Sequence, residues 1–190
     1  MKHLLAITTT CVLLGLSTPP VWAEGAGIEW DVLKDEVMKL IRTGKYDRAV
    51  VVAKKALEVA KENVGPDHPD VATSLNNLAL LYKAQGHYAQ AEPLYKRALA
   101  ISEKALGPDH PDVAMSLNNL ALLYDTQGHY AQAEPLYKRA LAIKEKALGP
   151  DHPYVAMSLK NLAVLYRAME RDEEAAPLEQ RAARIRAIQR

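Results

Sequence analysis

Three histidines recur beside an acid at a fixed interval. Asp67-His68, Asp109-His110 and Asp151-His152 each sit inside the string Gly-Pro-Asp-His-Pro, with a period of 42 residues. Imidazole and carboxylate are zinc ligands and acid–base partners. Equivalent points on stacked helices, however, stand at least ~8–10 Å apart, whereas Zn–N bonds are about 2.1 Å, so the three histidines do not share an ion. One Asp-His pair alone offers too few ligands. His87 and His129 repeat in turns. All five are read as connector and turn residues, and neither metal nor cofactor is expected. No GxSxG, HExxH or phosphate-cradling glycine loop occurs in the sequence. Glu173 and Glu174 are adjacent on one helix and do not face each other. The chain is read as a non-enzyme.

A second recurring set suits binding. Asn76-Asn77, Asn118-Asn119 and Lys160-Asn161 return at the same interval. A carboxamide offers both a donor and an acceptor, which matches a peptide main chain. Each such hydrogen bond has a net worth of ~1 kcal/mol, and more when charge-assisted.

The elements that must carry these residues follow from the repeat. Residues 65–106 and 107–148 agree at 38 of 42 positions, and a third copy from 149 loosens after Ala168. Shifting back by one period aligns Gly44, Tyr46, Ala49, Lys54, Ala56 and Leu57 with Gly86, Tyr88, Ala91, Lys96, Ala98 and Leu99. Four units therefore fill 28–190, at about 28–64, 65–106, 107–148 and 149–190. Leu75, Leu78, Ala79 and Tyr82 form one helical stripe; Ala91, Leu94, Tyr95, Ala98, Ile101 and Ala105 form another. Pro69 and Asp70 suit a first helical turn, and Gln85-Gly86-His87 suits a stop. Strand alternation is absent. The expected fold is all-α: eight helices in four antiparallel pairs, with Pro93, Pro135 and Pro177 bending the second helix of their units rather than ending it.

The spacing of Leu78-Ala79, Tyr82, Gly86, Tyr88, Ala91, Tyr95 and Ala98 resembles the tetratricopeptide repeat. The 42-residue unit, with its SLNNLALLY and QAEPLYKRALAI strings and GPDHPDVA connector, resembles the repeats of the kinesin light chain family. The resemblance implies a right-handed superhelical solenoid whose first helices line a concave groove, with side chains at the asparagine positions contacting bound peptide. Motor transport is not implied, since no sustained heptad for pairing with a heavy chain is present. The stripe opposite the packing face would then line the groove: Thr73, Asn76, Asn77, Leu80, Lys83 and Ala84 in one unit, Met115, Asn118, Asn119, Leu122, Asp125 and Thr126 in the next, and Met157, Lys160, Asn161, Val164, Arg167 and Ala168 in the last. The two near-identical units differ only at Thr73/Met115, Lys83/Asp125, Ala84/Thr126 and Ser102/Lys144, and three of these four lie on that stripe. The expected partner is another protein, bound through a segment with apolar anchors and a carboxylate that meets Lys160 and Arg167.

Composition narrows the alternatives. Lys plus Arg is 24 and Asp plus Glu is 23, so no basic field favours nucleic acid; Lys96-Arg97 and Lys138-Arg139 are read as solvated outer face. Residues 1–23 read as a signal peptide: Lys2 and His3, an apolar run from Leu4 to Leu16, then Pro19-Pro20 and Val21-Trp22-Ala23. The run is too short to span a bilayer. Export to the periplasm or medium is expected, without membrane insertion after cleavage. Glu24 to Gly27 is then a leader, and the mature chain has no cysteine, because Cys11 is the one cysteine in the sequence. The two end faces, at Val50-Val51-Val52 and at Ile185 and Ile188, offer apolar surface for a weak homodimer or a self-assembling array.

Overall fold

The computed structural model describes residues 21–188, with side chains from residue 29 onward. Residues 1–20, most of the segment read as a signal peptide, lie outside the described residues. Eight helices follow in order: α1 (Val21–Arg42), α2 (Tyr46–Val64), α3 (Pro69–Ala84), α4 (Tyr88–Leu106), α5 (Pro111–Thr126), α6 (Tyr130–Leu148), α7 (Pro153–Ala168) and α8 (Asp172–Ile188). They form four antiparallel hairpins in a right-handed superhelical solenoid. The first helix begins at Val21, so the backbone of 24–27 is helical.

The connectors explain the starts. Pro69, Pro111 and Pro153 occupy the first helical position, where a missing N–H costs nothing. The residues before them, His68, His110 and His152, are extended, and each accepts through Nδ1 the backbone N–H two residues on, at 3.2 Å. The repeating histidines are therefore helix caps, a role that the sequence pattern did not reveal. Within each hairpin the first helix closes by a paired reverse bond: His129 N–H donates to Tyr124 O at 2.8 Å and Gly128 N–H to Asp125 O at 2.9 Å. Gly128 has φ +74°, and its counterpart Glu170 holds the same left-handed turn at φ +59°.

The stripes pack as expected, with Leu75, Leu78, Ala79, Ala91, Tyr95 and Ala98 all buried. Ala105 is the exception and is exposed. First helices are also buried on a second side, through Val71, Ala72 and Leu81 and through Val113, Ala114 and Leu123. The reason is topological: α3 packs on α4 in its own hairpin and on α2 of the preceding one, and α5 and α7 repeat this. Each fully buried leucine stabilises by roughly 2–3 kcal/mol relative to an exposed one. Neighbouring first helices also touch directly, α1 with α3 and α3 with α5, whereas no comparable contact joins second helices. The stack therefore curves with the first helices inside. Pro93, Pro135 and Pro177 are exposed on the second helices, and so are Ala89, Ala131 and Glu173 four residues earlier. Water can serve the carbonyls that lose their donor.

Candidate peptide-binding wall

Helices α3, α5 and α7 lie on the inner side of the curved stack and carry the stripes expected to line it. Met115, Met157, Lys160 and Val164 are exposed there; Thr73, Asn77, Leu80, Lys83, Asn119, Leu122 and Asp125 are half-buried. Thr73 turns its hydroxyl back onto Pro69 O at 3.2 Å, leaving its methyl to the surface. Asn77 and Asn119 have no side-chain hydrogen bond among the described residues, so their amides remain available.

Other residues expected on the wall are used differently. Asn76 is only 5% exposed, and its amide donates to Ser116 Oγ at 3.0 Å, a buried staple from α3 to α5. Asn118 accepts from Asn161 Nδ2 at 2.9 Å, which ties α5 to α7. Three of the expected wall asparagines, Asn76, Asn118 and Asn161, thus hold repeats together. Arg167 is paired with Asp172 at 2.7 Å and forks onto Glu179 of α8 at 2.9 and 3.2 Å, so its charge is neutralised within its own hairpin. That leaves Lys160 as the exposed cation of this stretch, with no ion-pair partner among the described residues. Lys83 and Asp125 face each other from adjacent first helices: burial pulls the lysine down, against the Asp125 charge, and pushes the Asp125 carboxyl up, with Lys83 opposing.

A row behind the wall escaped the sequence reading. Ser74, Ser116 and Ser158 recur without change and are buried, and each accepts from a different donor: Trp30 Nε1 at 2.8 Å, Asn76 Nδ2 at 3.0 Å and Lys144 Nζ at 3.0 Å. The signal was available, since these serines stay constant beside Thr73, Met115 and Met157, which vary. On the outer face, Lys96 pairs with Glu92, Arg97 with Asp67, Lys138 with Glu134 and Arg139 with Glu103. These cations are committed to local ion pairs. Among the described residues no helix is long and apolar enough to cross a membrane.

The family comparison agrees with this geometry. The tetratricopeptide repeat profile matches residues 40–104, 85–146 and 130–187. A comparison with curated proteins gives no match. Among solved structures, BtubC (BKLC) of P. vanneervenii is similar at TM-score 0.77 and 29% identity, over 86% of this chain and 65% of that one. The present chain thus spans less than two thirds of BtubC. A kinesin light chain-like protein of Podosopora anserina with nearly identical TPR-like repeats is similar at TM-score 0.73 and 27% identity, covering 83% of this chain and 74% of that one. PilF of Pseudomonas aeruginosa shares the fold at TM-score 0.66 and 20% identity, over 85% of this chain and 63% of that one.

Proposed function

This chain belongs to the tetratricopeptide repeat family, with repeats of the kinesin light chain type, and we propose that it is an exported, non-catalytic adaptor that binds an extended segment of a partner protein along its inner wall. The repeat is generally a protein–protein interaction scaffold. The observation that carries the finer reading is the pair Asn77 and Asn119. Both lie on the inner wall one repeat apart, and neither amide has a side-chain partner among the described residues. A carboxamide with free donor and acceptor can satisfy both groups of a peptide unit. Leu80, Leu122, Met157 and Val164 supply apolar contact beside them, and Lys160 supplies a charge for a carboxylate on the segment.

Capture of partners from an envelope extract by the wild-type chain, with Asn77→Ala/Asn119→Ala as control, tests this reading. The double variant should fold normally and lose partners; recovery of the same proteins by both would refute it. A second reading, self-assembly through the ends, is favoured by Val32, Val51 and Ile188, which are 62%, 69% and 67% exposed. Under that reading Val51→Glu or Ile188→Glu lowers the sedimentation coefficient and the asparagine variant does not.

A further inference from the structure

Lys144 is unlike the other cations of the array. Its counterpart one repeat earlier is Ser102 in an otherwise nearly identical unit. It is 7% exposed, and its ammonium donates to Ser158 Oγ at 3.0 Å. No carboxylate among the described residues pairs with it, and burial alone pulls its pKa down. An ammonium carries three donors, so two are left unassigned, and a buried charge without a counter-ion is costly.

Lys144 lines a cleft of about 280 Å³ between the start of α5, the end of α6 and the start of α7. Met115, Leu148, Tyr154 and Met157 form its apolar sides, and each is more than one third exposed. Pro111 and Asp112 close the rim. The same positions one repeat earlier hold Thr73, Leu106, Asp112 and Met115 around Ser102, with Asp70 in place of Asp112. Thr73 has become Met115, Asp112 has become Tyr154 and Ser102 has become Lys144. Three changes scattered along the sequence thus converge on one cleft, making its walls apolar and its floor cationic.

We propose that this cleft is a binding site for a small apolar monocarboxylate, with the carboxylate on Lys144 Nζ and the apolar body between Met115, Leu148, Tyr154 and Met157. Size and charge both bear on the choice. An apolar cavity of roughly 150 Å³ holds one benzene ring, so this cleft takes a ring-sized body plus a short carboxylate arm. The Asp112 carboxylate on the rim disfavours a second negative charge. The counter-ion that the fold does not give Lys144 is what the ligand brings. The cleft shares Met115 and Met157 with the wall but uses neither the Asn77 nor the Asn119 amide, so its test does not depend on them.

The test titrates the whole chain with 3-phenylpropionate, following the methionine methyl signals by NMR, because Met115 and Met157 line the cleft and Met38 and Met169 do not. The acid should shift Met115 and Met157 selectively and bind roughly tenfold or more tightly than 3-phenylpropanamide, the difference made by one charge-assisted contact. Lys144→Ser restores the residue of the preceding repeat and should fold; it should bind acid and amide equally. Lys144→Met, which keeps the apolar stem, should do the same. Equal binding of acid and amide by the wild type, or a preference that survives in both variants, would overturn the assignment. So would tighter binding of acetyl-Gly-Gly-Phe than of 3-phenylpropionate, which would assign the cleft to a chain terminus.

Discussion

Acid should unlock the junction between the third and fourth hairpins only at low pH, and Glu134 is the residue that reports it. Its carboxylate accepts from Lys138 Nζ at 2.6 Å, from Arg171 at 2.6 Å and from the Tyr166 hydroxyl at 3.2 Å, and its side chain is 18% exposed. Arg171 also lies 4.3 Å above the Tyr166 ring. The Arg171 contact, followed by Lys138, pulls the Glu134 carboxyl down to about 2 from an ordinary value of 4.5. A carboxyl depressed in the folded state stabilises fully above its unfolded value and loses that contribution as pH falls through its folded value. The window is therefore about pH 4.5 to 2. A shift of this size corresponds to a ceiling of about 3 kcal/mol, and partial solvent access brings the expected figure to roughly 2. Urea unfolding of wild type and Glu134→Gln, at pH 7 and at pH 2, isolates it from the other carboxylates, which titrate equally in both chains. The variant should be less stable by roughly 2 kcal/mol at pH 7 and nearly equal to wild type at pH 2. An undiminished difference at pH 2 would show that the bonds drawn here do not set the energetics of the junction.

Three further substitutions probe other links. Glu170→Gly should raise stability by about 0.5–1 kcal/mol in urea unfolding, because a side chain is removed from a left-handed turn that Gly128 and Gly86 occupy without strain; a loss would mean that the glutamate makes an overriding contact. His110→Ala should cost ~1 kcal/mol by removing the cap acceptor of α5, while His110→Asp, which keeps an acceptor, should recover most of it; equal losses would deny the cap. Ser158→Ala leaves the buried Lys144 ammonium without its one acceptor among the described residues and should cost about 1–3 kcal/mol in urea unfolding, against which Ser158→Ala combined with Lys144→Ser should be milder.

The architecture was legible because every level of the sequence agreed. Glycine-proline connectors, helix starts at Pro69, Pro111 and Pro153, and stripes at helical spacing all specify the same hairpin, and repetition enforces it. Two things stayed hidden for a common reason. Asn76 and Asn77 are neighbours in sequence yet differ by about 100° around a helix. One is sealed against Ser116 and the other keeps an open amide. Likewise Arg167 is exposed, but Asp172 and Glu179 reach it from a hairpin whose sequence has drifted from the repeat. Pairings across helices depend on side-chain reach, which periodicity does not encode.

Near-identity of copies makes the exceptions informative. Ser116 of the third unit is served by Asn76 of the second, so the equivalent Asn118 was free to serve Ser158 one repeat later. It does not: Lys144 donates to Ser158, and Asn118 instead accepts from Asn161. A single Ser-to-Lys change between copies therefore replaces one inter-repeat staple by another and places an ammonium beneath Met115 and Met157. The new staple joins the same pair of first helices as the old one would have, so the curvature of the wall need not change while its chemistry does. A repeat array can acquire a local site in this way without altering its frame, since each hairpin needs only its neighbours to fold.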